Sequence, residues 1–122
     1  MMHFSTRGGP NAPGRARRAI EIMAADLERT VLNDVRILTT ELVSNCVRHG
    51  DASRETEILL GYSRPNEVVR VEVTGPGEGF DLEMPAVDPS MPGGFGLLMV
   101  ERVASRWGLT RGGRSVWFEI PR

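Results

Sequence analysis

The chain has 122 residues, 40% of them hydrophobic, and a formal net charge of −1 at pH 7, which is typical of one globular domain. Its fifteen basic residues are all arginine, so enzymes that depend on a P-loop lysine or a lysine Schiff base are excluded. The near-neutral charge gives no reason to expect nucleic acid as a partner, and the absence of a signal peptide or a long apolar run predicts a cytoplasmic protein outside the membrane.

The beginning of the chain is predicted to contain a short strand and one helix. Residues 1–14 form a flexible arm in which Met2–Ser5 is a short edge strand and Thr6–Gly14, rich in glycine and proline, is a loop. From about Asn11, apolar residues recur at helical spacing as far as Leu27. Three arginines in the first turns of this helix form either ordinary surface or a cationic docking face: Arg15, Arg17 and Arg18.

The segment Val31–Gly50 is predicted to be the central helix of the fold. Asn33 or Asp34 is expected to cap its start, and Gly50 is expected to end it. One broad side carries apolar residues at helical spacing and should face the core: Val35, Leu38, Leu42 and Cys46. As the single cysteine, Cys46 has no partner for an internal disulfide and is expected to be a small buried residue.

A polar column stands against this apolar background, because Glu41, Asn45 and His49 are spaced four residues apart. The amide oxygen of Asn45 is a hard ligand that suits Mg2+, and the carboxylate of Glu41 can orient or deprotonate a nucleophile beside that metal. The alternative is a solvated polar stripe on an amphipathic helix, which needs no functional explanation.

The remaining chain is predicted to form two hairpins, a loop and a short helix. The hairpins pair Glu55–Tyr62 with Val68–Thr74, and Arg106–Thr110 with Ser115–Ile120. Between them, Asp81–Met91 is expected to be a mobile loop, followed by a short amphipathic helix that begins near Leu97. This order predicts an α+β two-layer sandwich: a mainly antiparallel sheet of four or five strands with three helices packed on one face.

Three motifs resemble those of the histidine-kinase-like (GHKL) ATPase superfamily. Glu41–Gly50 resembles its N-box, Val73–Phe80 its first glycine box and Gly93–Leu97 its second. The small size, the Ala-Arg-Arg sequence in the first helix and the C-terminal segment Arg106–Pro121 are similar to the anti-sigma-factor serine kinases. The resemblance covers nearly the whole chain and implies a Bergerat-type ATP-binding fold, with residues 15–122 as a single domain.

The resemblance also implies the roles of particular residues in binding ATP with Mg2+. Glu41 matches the general base and Asn45 matches the Mg2+ ligand, which suits a phosphoryl transfer that needs mainly positioning and charge stabilisation. The other positions that match the nucleotide site of the family are Arg48, His49, Gly75, Gly77, Gly79, Gly94, Gly96, Leu97 and Ser115. Among these, Ser115 is expected to turn its hydroxyl toward the base.

One position departs from the family pattern and leaves two functions open. The first glycine box normally begins with an aspartate that accepts a hydrogen bond from the adenine amine, but this chain has Gly75 there. The first function is an ATP-dependent serine kinase that binds a sigma factor and phosphorylates an anti-sigma antagonist, with a homodimer plausible by analogy. The alternative is a degenerate, non-catalytic binding module that holds ATP weakly or not at all.

Overall fold

A five-stranded antiparallel sheet with helices on one face forms the fold. The computed structural model describes residues 1–49, 57–75, 96–110, 112 and 114–122. The strands are β1 (Met2–Arg7), β2 (Glu57–Ser63), β3 (Val68–Thr74), β4 (Arg106–Thr110) and β5 (Ser115–Pro121), and the helices are α1 (Ala12–Met23), α2 (Arg29–His49) and α3 (Gly96–Val103). The strand order is β1-β2-β3-β5-β4, and every neighbouring pair is antiparallel. The predicted α+β two-layer sandwich is confirmed.

Both predicted hairpins are present. The turn between β2 and β3 places Asn66 in the left-handed region with φ of 52°, a conformation that asparagine tolerates better than most residues. It is closed by the Val68 N–H, which donates to the Pro65 carbonyl at 3.1 Å. In the second hairpin Thr110 pairs with Ser115 across a turn in which Gly112 has φ of 67°.

The N-terminal strand is longer than predicted. β1 continues past Ser5 to Arg7, because Thr6 is buried opposite Ile58 and the strand pairs with β2 along its whole length. Since α1 begins at Ala12, the predicted loop Thr6–Gly14 is reduced to residues 8–11. The apolar side predicted for α1 is buried or partly buried against the core: Ala16, Ala19, Ile20 and Met23.

Helix α2 begins at Arg29 instead of Val31, so the predicted cap at Asn33 or Asp34 is wrong. Asn33 lies inside the helix, and its Oδ1 accepts a hydrogen bond from Nη2 of Arg36 at 2.8 Å. The two additional residues, Arg29 and Thr30, are neither glycine nor proline, so helical geometry extends through them. The helix ends at His49, and Gly50 lies outside the described residues.

The core lies between α2 and the helix-facing side of the sheet. Val35, Leu38 and Leu42 of α2 are fully or almost fully buried, as the helical spacing predicted. Alternate residues of the strands meet them and are also buried: Ile58, Leu60, Tyr62, Val69, Val71, Val73, Val116, Phe118 and Ile120. Among the described residues, no helix is both long and apolar enough to cross a bilayer.

The opposite face of the sheet carries a cluster around Trp117. The guanidinium carbon of Arg70 lies 4.2 Å from the centre of the Trp117 ring, and that of Arg106 lies 5.7 Å away. Both arginines pair with the buried carboxylate of Glu119, at 3.2 and 3.5 Å. The indole lies directly over Gly108, where a Cβ atom would meet Trp117 Nε1 at 2.9 Å. Stacking and charge pairing thus hold β3, β4 and β5 together on the side away from the helices.

We expect Tyr62→Phe to leave stability unchanged or to raise it by up to about 1 kcal/mol, because no lost hydrogen bond offsets the removal of a buried hydroxyl. Tyr62 is 1% exposed, and its hydroxyl has no hydrogen-bond partner within the described residues. Urea denaturation at pH 7 tests this expectation, and a loss of more than 1 kcal/mol would show that the hydroxyl has a stabilising partner.

The same substitution has a predicted pH dependence. Burial raises the pKa of Tyr62 above its ordinary value of 10.0. Because the unfolded state then ionises first, the stability of the native protein is unaffected by this group below about pH 10 and falls as the pH rises toward the folded-state pKa. Native protein should therefore lose more stability than Tyr62→Phe above pH 10.

Candidate functional site

The long helix α2 carries the two central candidates, Glu41 and Asn45, one turn apart. Both side chains are half-buried. Oε2 of Glu41 is inaccessible to solvent and has no hydrogen-bond partner among the residues that the structure describes. A buried carboxylate oxygen without a partner is costly, so this atom is suited to receive a polar group or a proton from a bound molecule. That environment favours a functional position over a solvated stripe.

The contact between α2 and β3 joins two of the predicted motifs. Cys46, the residue after Asn45, packs against Gly75, which directly follows β3. The N–H of Gly75 donates to the carbonyl of Arg114 at 2.9 Å, which extends the pairing between β3 and β5 by one residue. The N-box helix and the start of the first glycine box are therefore in direct contact.

Gly75 is required by a close approach and not by backbone conformation. It is buried and, unlike Gly9 and Gly112, has no positive φ. A Cβ atom built on it would lie 2.7 Å from Sγ of Cys46, which is closer than packed atoms allow. Sequence reasoning identified the missing acceptor at position 75 but not this contact, because a steric conflict between residues 29 positions apart leaves no local pattern.

Cys46 itself is a packing residue, as predicted. It is 3% exposed, and burial raises the pKa of its thiol to about 12. The thiol is therefore protonated at neutral pH and is not a nucleophile.

Ser115 lies on the other side of the sheet from these groups. Its Oγ is 2.5 Å from Oγ1 of Thr74, its cross-strand partner. Because neighbouring residues of a strand point to opposite faces, and Val73 and Val116 face the helices, Thr74 and Ser115 face away from them. The structure does not bring Ser115 together with Glu41 and Asn45.

Only some of the other predicted site residues lie in the described part of the chain. Gly96 and Leu97 are the first residues of α3, which contacts α2, so the N-terminus of a helix lies on the side of the second glycine box. Arg48 and His49 belong to the last turn of α2. Gly77, Gly79, Gly94 and the predicted loop Asp81–Met91 lie outside the described residues.

The donor set fits a metal ion that arrives with a nucleotide. Within the described part of the chain, no group of three histidine, cysteine, aspartate or glutamate side chains could hold a metal ion. Mg2+ bound to ATP takes most of its ligands from phosphate oxygens and water, so one amide oxygen such as that of Asn45 is sufficient. Oε2 of Glu41, which has no partner in the part of the chain that the structure describes, lies one turn away on the same helix.

Comparison with known proteins assigns the chain to a family. Residues 10–120 match the family model of the histidine kinase-like ATPase domain, a match that includes all three helices and, apart from β1 and the last residue of β5, every strand that the structure describes. No curated protein matches the chain. The match supports ATP binding by this domain and confirms the superfamily that the sequence motifs predicted. Because the match covers most of its length, the chain belongs to the histidine kinase-like ATPase domain family.

Proposed function

We propose that the chain is an ATP-binding regulatory protein that phosphorylates a serine of a partner protein. The observation that carries the proposal is the arrangement on α2. There Oε2 of Glu41, which is inaccessible to solvent and has no hydrogen-bond partner among the described residues, lies one turn from Asn45. A general base and a single Mg2+ ligand are what a phosphoryl transfer needs from side chains, since positioning and charge stabilisation account for most of its catalysis.

In this proposal different residues bind the metal, accept the proton and bind the phosphates. The amide oxygen of Asn45 would bind the Mg2+ that accompanies ATP and supplies positive charge to the phosphates. Glu41 would accept the proton of the attacking serine hydroxyl while the γ-phosphoryl group passes to the serine oxygen and ADP leaves. The backbone N–H groups at the start of α3, at Gly96 and Leu97, would favour the phosphate charge.

We further propose that the partners are a sigma factor and its anti-sigma antagonist. The support is the resemblance of the small domain, its Ala-Arg-Arg sequence and its C-terminal segment to the anti-sigma-factor serine kinases. Arg15, Arg17 and Arg18 are exposed on α1, which offers a cationic surface to an acidic partner.

A second candidate function is a binding module without catalysis. Gly75 supplies no side-chain acceptor for the adenine amine, and the space beside it is filled by the thiol of Cys46. Such a protein would keep the fold and the partner surface but would bind nucleotide weakly.

Isothermal titration of the purified chain with Mg-ATP separates the two functions. Saturable binding that depends on Mg2+ supports the kinase proposal. Absence of binding at millimolar ATP, from a protein that melts cooperatively, would leave the binding module as the function.

Asn45→Ala should remove the part of ATP affinity that depends on magnesium. Native protein is expected to bind Mg-ATP more tightly than ATP with a chelator, and the variant should bind both forms with the same affinity because it lacks the ligand oxygen. Asn11→Ala is the matched control, since Asn11 is exposed and its side chain makes no capping hydrogen bond. A variant at position 45 that keeps the full magnesium effect would show that another group holds the metal.

A further inference from the structure

We propose that Cys46 sets the base selectivity of the nucleotide pocket: its thiol excludes a side chain at position 75, so the pocket accepts ATP and GTP with similar affinity. This inference rests on the proposed function and on the family resemblance, which implies that position 75 lies beside the base. It goes further by naming the residue that determines which nucleotide is bound.

The steric part follows from two contacts. A Cβ at position 75 would lie 2.7 Å from Sγ and 3.4 Å from Cβ of Cys46. Separations below 3.0 Å are not found in packed proteins, so one of the two residues would have to move. At the observed backbone separation, a cysteine at position 46 therefore excludes any residue larger than glycine at position 75.

Neither residue is free to move away. The N–H of Gly75 is bonded to the carbonyl of Arg114, which fixes the strand end at β5. Cys46 is 3% exposed and belongs to a 21-residue helix, where few side-chain rotamers are allowed. An aspartate at position 75 thus requires a smaller residue at position 46.

The chemical part follows from the absence of a carboxylate at position 75. An ionised aspartate only accepts hydrogen bonds, so it favours the amine of adenine and rejects the oxygen that guanine carries at the same place. Gly75 has no side chain, and the thiol of Cys46 leaves no space for one. Without a side-chain acceptor at position 75, this distinction between the two bases is lost.

Four proteins test the proposal: native, Cys46→Ala, Gly75→Asp and the double variant Cys46→Ala/Gly75→Asp. Each is titrated with Mg-ATP and Mg-GTP, and its thermal unfolding midpoint is measured without nucleotide. Native protein should bind the two nucleotides with similar affinity. The double variant should prefer ATP over GTP by ~10- to 150-fold, the range expected for one charge-assisted hydrogen bond.

The single variants isolate the steric part. Gly75→Asp alone should lower the unfolding midpoint, and adding Cys46→Ala should recover part of that loss because the smaller residue makes room. Gly14→Asp is the matched control, since a Cβ at Gly14 meets no atom within 4 Å. It should change neither the selectivity nor the response to Cys46→Ala.

The outcomes separate this inference from the proposed function. A native protein that prefers ATP by more than tenfold, or a double variant with native selectivity, overturns the inference while nucleotide binding stands. If no variant binds either nucleotide, the proposed function fails as well. If Cys46→Ala still recovers part of the unfolding midpoint lost in Gly75→Asp, the two positions would then be only a packing pair.

Discussion

Glu41→Gln and Glu41→Ala should each lower phosphoryl transfer by ~100- to 10,000-fold, the usual effect of removing a general base. Glutamine has the same shape as glutamate, but its amide cannot accept a proton at neutral pH. No described residue bonds to Oε2 of Glu41, so the substitution breaks no observed hydrogen bond at that atom. Affinity for Mg-ATP should stay close to that of native protein, because the proposed metal ligand is Asn45. A loss of rate with unchanged binding is the signature of a group that acts only in the transition state.

The measurement is transfer of labelled γ-phosphoryl from ATP to the partner protein, with titration calorimetry on the same samples. Glu101→Gln is the matched control, since Glu101 is exposed on α3. It should keep native activity. If Glu41→Gln transferred phosphate at the native rate, the general base would have to be another group. If it lost ATP binding instead, Glu41 would act in binding and not in proton transfer.

Phe118→Ala should lower the free energy of unfolding by ~3–5 kcal/mol, the range observed for truncating a buried aromatic residue. Phe118 is 0% exposed and lies on β5, between its cross-strand partners Val71 on β3 and Trp107 on β4. The remaining side chains cannot close the cavity without distorting three strands. Because small domains have a total stability of only about 5–15 kcal/mol, this variant should be partly unfolded at physiological temperature.

Urea denaturation followed by circular dichroism measures the effect. Phe4→Ala is the matched control, because Phe4 is only partly buried on the edge strand β1. It should cost less than Phe118→Ala. A loss below 1 kcal/mol at position 118, or a larger loss at position 4, would contradict the central position of β5 in the core.

Local patterns in the sequence determined the elements and their apolar sides. The spacing of Val35, Leu38 and Leu42 predicted the core-facing side of α2 because helical periodicity is a property of neighbouring residues. The hairpins β2–β3 and β4–β5 were predicted for the same reason, since each pairs strands that are adjacent in sequence. The column of Glu41 and Asn45 follows from spacing alone.

The ends of the helices and strands were predicted less accurately. The start of α2 at Arg29 and the continuation of β1 to Arg7 depend on contacts with other elements, which extend a helix or strand beyond its strongest local signal. An asparagine at a predicted cap, such as Asn33, can equally pair with a side chain inside the helix.

Only the tertiary structure decided how these pieces meet. The position of β5 between β3 and β4 comes from pairing residues far apart in sequence, as in the pair of Val71 with Phe118. That pairing puts Ser115 on the face away from the helices. It also holds Gly75 in place through the hydrogen bond from its N–H to the carbonyl of Arg114. At that position the thiol of Cys46 occupies the space that a side chain would need. Such distances of a few ångströms follow from packing many distant residues together, and no spacing along the chain records them.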